Sequence, residues 1–298
     1  MSQTIMLQLK PLLTVVSMTS IAIVLAGNTN VQDHSPLSLQ LDGYRLTEAV
    51  IGLATITDNA SGISYNEKSD TLFVVVNNPE YLLEINKTGK VLRKIKLNGF
   101  DDTEAVVYLG QNRFAIAEER RRSIVFVNID TSTKVLNRDQ QQHISFDFLA
   151  KDNNRGFEGI AFNRKSQRLF VANEKSPRQL LAIDGAIVNP LKTLALNSFQ
   201  VSAIWSDSDK QQKFLTSDDY SGLHFDSESQ HLLMLSEESR ELVEFDNNGQ
   251  QLSLLDLSRW NKNLAESIQQ PEGVTMDNDR NIYVIGEPNL LYRFSPGS

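Results

Sequence analysis

Residues 60–86 read ASGISYNEKSDTLFVVVNNPEYLLEIN. A small residue, Gly62, opens a short apolar strand. A polar turn follows at Asn66 to Asp70, then a second strand, LFVVV, a polar pair, and a third strand, YLLEI. The order returns four times: from Thr103 (TEAVVYLGQNRFAIAEERRRSIVFVNI), from Phe157 (FEGIAFNRKSQRLFVANEKSPRQLLAI), from Tyr220 (YSGLHFDSESQHLLMLSEESRELVEFD) and from Pro271 (PEGVTMDNDRNIYVIGEPNLLYRFS). A weaker fourth strand, such as VLRKIKL or HISFDFL, follows most units. Strands of about five residues with no sustained 3.6-residue period exclude a helical fold. Four strands per repeat, at roughly 40–60-residue spacing, is the pattern of a β-propeller blade.

The expected fold is therefore all-β: a β-propeller of five blades, each of four antiparallel strands. The last repeat stops after its third strand. Residues 37–57 supply strand material at the other end, so an N-terminal strand is expected to complete the last blade and close the ring. Six blades is the alternative. The sixth would have to lie in residues 184–219, which hold the strand-like VSAIW but no second polar pair. Ser258 to Ile268 reads as a short helical turn within a loop. Trp205 and Trp260 fall outside the repeats and read as loop caps.

The 298-residue chain carries 29 Lys+Arg against 37 Asp+Glu, a formal net charge of −8, which disfavours nucleic-acid binding. It has no cysteine, which removes disulfides, thiolate metal sites and cysteine nucleophiles. Lys10 precedes an apolar run from Pro11 to Leu25, then Ala26 and Gly27. A positive charge, a short apolar run and small residues describe a signal peptide, with an uncleaved membrane anchor as the alternative. Either places the body outside the cytoplasm, in the periplasm or on the inner membrane facing it. Residues 1–27 thus read as signal or anchor, 28–38 as a linker and 39–298 as the propeller. Membrane association is expected only through the N-terminal segment.

In a propeller the start of the inner strand and the end of the second strand share a face. Carboxylates occupy both places. Glu104, Glu158 and Glu272 precede the small residue of the inner strand. Glu119, Glu174, Glu237 and Glu287 take the second place of the polar pair, where the first repeat is read as Asn78. Asp219, with Asp101, Asp102 and Asp218, lies in the loops leading into blades two and four. Crowded carboxylates repel, and a hard cation with oxygen ligands, calcium first, would offset that. Four His and no Cys disfavour zinc and copper. Two other readings stay open. Basic residues following the carboxylates could form a ring of ion pairs, or the arginines could hold a small anion. On the ligand-binding side the residues are Asn78, Asn173, Arg120, Arg155 and Arg178. No nucleophile elbow, HExxH, Walker A loop or EF-hand loop is present. The Asp277 to Asn281 stretch reads as a turn. His224 lies in the inner strand of blade four, where other repeats carry Ser64, Val107, Ala161 and Thr275; it is either a channel-facing base or a packed structural histidine. Loops 131–143 and 186–217 are the longest insertions and would carry a protein partner.

The runs NASGISYNEKSDTLFVVVNN, DDTEAVVYLG, GFEGIAFN and PEGVTMD resemble the SdiA-regulated family, also called YjiK-like or CarP-like, over roughly residues 40–296. NHL and gluconolactonase-like propellers share the E-G-x start. The resemblance implies a propeller of the bacterial envelope, at the inner membrane or in the periplasm. It also implies links to calcium homeostasis in some members, with a phytase-like or esterase-like role suggested. It carries no catalytic residue across. The expected function is a divalent-cation-binding envelope propeller that senses, scaffolds or serves calcium homeostasis, with enzymatic activity left open. The alternative is a calcium-dependent hydrolase of phosphate esters or lactones.

Overall fold

The computed structural model describes residues 4–6, 38–47, 51–56, 58–146, 156–173, 178–186, 199–206, 217 and 219–297. The expected signal or anchor and most of the linker lie outside these residues. No helix among the described residues is long and apolar enough to cross a membrane.

Five antiparallel sheets form, one from each repeat. Blade one runs from its inner strand Ala60–Asn66 through Thr71–Val76 and Tyr81–Ile85 to the outer Val91–Asn98. Blade two is Thr103–Gly110, Arg113–Glu118, Ser123–Asn128 and Gln142–Ser145. Blade three is Phe157–Asn163, Arg168–Asn173, Gln179–Asp184 and Gln200–Ser206. Blade four is Gly222–Asp226, His231–Ser236, Glu241–Phe245 and Gln251–Asp256. Blade five is Pro271–Met276, Ile282–Gly286 and Leu290–Ser295, completed from the N-terminal side.

The closure has the expected form, made by two short strands. Arg45–Leu46 and Ile51–Gly52 both pair antiparallel with Leu290–Ser295. The chain just before them is pinned to blade four. The buried Glu244 carboxylate accepts from Ser38 Oγ at 2.6 Å and the Leu39 amide at 2.8 Å, and is bonded to His231 Nδ1 at 2.6 Å. A ring has no free edge at its seam, so this latch protects the last blade from foreign pairing.

The core is divided into five slabs, one between each pair of neighbouring blades. One of them joins Tyr283 and Ile285 of blade five to Ile63 and Val74 of blade one, which closes the circle. This layout explains the strand compositions. Second strands are covered on both faces, and Thr71–Val76, His231–Ser236 and Ile282–Gly286 are buried throughout. The outer strand Val91–Asn98 alternates, with Leu92, Lys94, Lys96 and Asn98 exposed. Aromatic pairs bridge the slabs: Phe73 and Phe114 at 4.5 Å between centroids, Phe170 stacked on Phe225 at 5.4 Å. Each such pair adds about 0.5–1.5 kcal/mol beyond its buried area.

The inner strands lie so close at the axis that only small side chains fit. A Cβ on Gly62 would sit 2.6 Å from the Ala105 Cα and 2.6 Å from the Glu104 carbonyl oxygen. One on Gly273 would sit 2.7 Å from the Ser61 carbonyl oxygen. Gly62, Ala105, Gly159, Gly222 and Gly273 thus form a waist around a gap of only about 10 Å³. That is at most one water.

Several sequence expectations change here. The VSAIW segment is the outer strand of blade three, so Trp205 is a strand residue whose backbone pairs with Leu180, not a loop cap. Trp260 stands exposed on its loop. Residues 258–268 form turns only, because Asp256, Ser258 and Asn261 side chains bond local backbone amides and carbonyls in place of a helical ladder. Loop 131–143 is largely committed to the fold. Val135–Asn137 adds in parallel to the edge of blade one, and Gln142 begins the outer strand of blade two. At that strand's far side, Thr4–Met6 pairs in parallel. Most of loop 186–217 lies outside the described residues.

Candidate metal centre at the acidic mouth

Each carboxylate position of the repeat has a local cause. The ladder slips by one residue between Thr103 and Ala105, between Phe157 and Gly159, and between Pro271 and Gly273. The extra residues are Glu104, Glu158 and Glu272. A β-bulge breaks the alternation of the strand and re-aims one side chain. Here it sets a carboxylate beside the waist, whose lining includes Glu158 and Glu272.

The second group comes from the hairpins between second and third strands. Val76 pairs with Tyr81, Glu118 with Ser123, Ser236 with Glu241 and Gly286 with Leu290. The next residue in each blade is then Asn77, Glu119, Glu237 and Glu287. Asn77, not Asn78, is the counterpart of the glutamates. Asn78 is exposed, at φ 49° before a cis proline bond. It lends only its carbonyl, which accepts from Asn59 Nδ2 at 3.1 Å. The second strand of blade one ends in apolar Val76, where blades two and four end in Glu118 and Ser236, so its polar pair starts one residue later and alignment by residue type slipped.

At the mouth of blades one and two, carboxylate oxygens of Asp102, Glu104 and Glu119 all lie within 4.8 Å of one another. Asn77 Nδ2 donates to Asp102 Oδ1 at 2.7 Å and to Glu104 Oε1 at 2.7 Å, holding the first two in place. Arg120 Nε pairs with Asp102 Oδ2 at 2.8 Å from the rim. Burial, then the neighbouring Asp102 and Glu119 charges, push the Glu104 carboxyl up to about 7 despite hydrogen bonds from Ser61 and Asn77. Across the mouth, burial followed by the charges of Glu237, Glu287, Glu104 and Asp219 pushes Glu272 up to about 9. Glu287 also rises, through burial and then the charges of Asp58 and Glu237. Glu104, Glu237, Glu272, Glu287 and Asp219 therefore share one field.

Other sequence candidates have different work. Asp219 is buried and accepts from Ser236 Oγ and from the Glu237 and Glu238 amides at 3.2 and 3.1 Å, capping the hairpin of blade four. Asn173 is the buried end of a second strand, in the ladder position held by Glu118 in blade two. Arg178 donates to the Ser217 carbonyl and lies 5.7 Å from the Tyr220 ring centre, so it anchors a loop. Arg121 turns to the Gly99 carbonyl at 2.7 Å and to buried Glu118. Glu174 and Arg155 lie outside the described residues. One residue of the centre, Asn77, stood outside the sequence candidates, and Asp102 was named only as one of several loop carboxylates. Asn77 was hidden by the register slip. Asp102 sits three positions before its small residue, as Asn59 and Asp219 do before theirs, and both Asn59 and Asp102 have positive φ, 62° and 57°. Asn and Asp tolerate that conformation better than most residues, so this repeated position was a usable signal.

The repeat register, the closure and the bulged carboxylates all fall within residues 36–295, the span matched by the model of the SdiA-regulated family. The chain belongs to the SdiA-regulated family. As a member of that family it is similar in shape to several solved propellers. A luciferin-regenerating enzyme matches with a TM-score of 0.49 at 13% identity, over 84% of this chain and 97% of that one. A gluconolactonase from Xanthomonas campestris matches with 0.48 at 13% identity, over 85% and 95%. A chain of a nidogen/laminin complex matches with 0.48 at 12% identity, over 77% and 73%.

Proposed function

We propose that this SdiA-regulated propeller binds a divalent cation, calcium, between Asp102, Glu104 and Glu119, with Glu272, Glu237 and Glu287 supplying the surrounding negative field. The observation that carries this reading is the convergence of three carboxylates within 4.8 Å, Asp102 buried and Glu104 and Glu119 partly so. The donor set is oxygen only, which suits calcium and gives zinc or copper no imidazole or thiolate. A cation there would favour the ionised form of Glu104, whose carboxyl is otherwise pushed up to about 7. The ion-pair ring is the weaker reading, since Arg120 meets Asp102 while Arg121 and Arg178 reach elsewhere. The same commitments weigh against a phosphate-ester hydrolase, which needs free cations for the substrate. The role that fits is sensing, scaffolding or calcium homeostasis in the bacterial envelope, with the apolar N-terminal run exporting or anchoring the body.

The test is the melting temperature of the full-length protein in EDTA, in millimolar Ca²⁺ and in millimolar Mg²⁺. A ligand at a hundred times its Kd stabilises by about 2.7 kcal/mol, roughly 5–10 °C for a domain of this size. The expected result is such a rise in Ca²⁺, lost in Glu104→Gln. Equal curves in EDTA and Ca²⁺ overturn the metal reading.

A further inference from the structure

Below the waist the channel opens again. A cavity of about 490 Å³ lies there, lined by the later halves of all five inner strands and by the turns that follow them. Its volume falls within the range of small-molecule sites, roughly 300–1,000 Å³. The waist seals it from the acidic mouth, so a ligand would enter from the opposite face.

Two positions past each waist residue stand Ser64, Val107, Ala161, His224 and Thr275, and all five line the cavity. Ser64 and Thr275 are used by the fold. Ser64 Oγ accepts the Tyr108 amide at 2.9 Å, and Thr275 Oγ1 accepts the Tyr65 amide at 3.0 Å, each clipping one blade to the next. His224 makes no such clip. Among the described residues neither ring nitrogen has a protein hydrogen-bond partner, and part of the ring faces the cavity. Burial, then the Arg280 charge against the opposing pull of Asp226, pushes it down to about 4, so at neutral pH it is an uncharged imidazole with one donor and one acceptor.

Apart from Lys165, which stands exposed at the rim, the charges around the cavity are matched. Arg280 grips Asp226 with two bonds, 2.7 and 2.9 Å, and reaches Glu228 at 3.2 Å. Arg164 pairs with Glu67 and lies 5.6 Å from the Tyr108 ring centre. Lys87 reaches Asp277 at 3.4 Å. A charged ligand beside His224 would have to displace one of these partners or draw Lys165 in from solvent, which is costly. An uncharged one need only hydrogen-bond the imidazole and cover Val107, Ala161 and Met276. We propose that the lower lumen is a second binding site, for a small uncharged molecule with an apolar body, held by a hydrogen bond to His224.

Three probes sharing one ring test this on the full-length protein: cyclohexanol, cyclohexanecarboxylate and cyclohexylammonium. The chain has four histidines, so the imidazole carbon–proton signals are few, and His224→Gln identifies the His224 signal by its loss. The expected result is a saturable shift of the His224 signal with low-millimolar cyclohexanol, the other signals still, and at least fivefold weaker effects from the charged probes. His224→Leu, which keeps the volume, should weaken cyclohexanol at least threefold in a competition with wild type. An unmoved His224 signal with every probe would mean the cavity holds water only. A preference for either charged probe would mean the rim pairs open. Either result overturns the proposal. The wild-type signal decides even if a variant fails to fold.

Discussion

The two mouths of the channel are built from the same five strands, yet they solve opposite problems. Above the waist, bulges gather carboxylates that fewer cations offset, and desolvation with like charge pushes Glu104 up to about 7 and Glu272 up to about 9. Below it, the charges other than exposed Lys165 are paired, and His224 is kept neutral. The difference lies in the start and end of one strand. At its start the bulge points a side chain at the axis, where only a cation can relieve crowding. At its end the ladder is regular, and the turns carry paired charges outward.

The largest effect should come from breaching the waist. Gly62→Ala and Gly273→Ala put a Cβ within 2.7 Å of backbone atoms, whereas Gly222→Ala meets its nearest backbone atom at 3.1 Å. The first two should lose about 3 kcal/mol or more in urea unfolding, and the third about 1 kcal/mol. Equal tolerance at all three would show that the mouths are not sealed from each other.

The pH dependence of stability should have two limbs, one from each mouth. Glu272 and Glu104 have pKa values raised above those of the unfolded chain. The folded state therefore holds more protons, and stability falls as pH rises from about 4.5 through 9. In EDTA this limb should amount to roughly 1–3 kcal/mol, flatten in Ca²⁺ and shrink in Glu272→Gln. A limb unchanged by Glu272→Gln would place the protons elsewhere. His224 has a lowered pKa, so its contribution is full above 6.5 and is lost as pH falls towards about 4. His224→Leu should remove about 1 kcal/mol of that acid limb and leave the alkaline limb intact. Movement of both limbs would couple the mouths.

The smallest test concerns register. Asn77→Ala removes the donor shared by Asp102 and Glu104 and should cost about 1–2 kcal/mol, raising the Glu104 titration further. Asn78→Gly, at positive φ and exposed, should stay within about 0.5 kcal/mol. Equal effects would restore the sequence alignment of the two asparagines.

Much of this was legible in the chain. The repeats showed because second strands lie between two blades and must be apolar. The small residues showed because a Cβ collides at the axis. Carboxylates at both ends of the mouth showed through repetition. Asn77 did not show, because the second strand of blade one ends in apolar Val76 where blades two and four end in Glu118 and Ser236, which shifts the polar pair by one residue; only the ladder reveals it. Loop 131–143 read as a free insertion because a three-residue strand such as Val135–Asn137 has no pattern of its own.

The sequence by itself determined the blade number, the ring closure and the side of the channel that is acidic. These follow from periodic burial and from steric limits repeated five times. The tertiary structure alone decided which carboxylates touch, that Asp219 caps a hairpin, and that His224 faces a cavity rather than a packed slab. Those facts depend on how strands and hairpins meet across a blade and across the channel, and no local pattern encodes them.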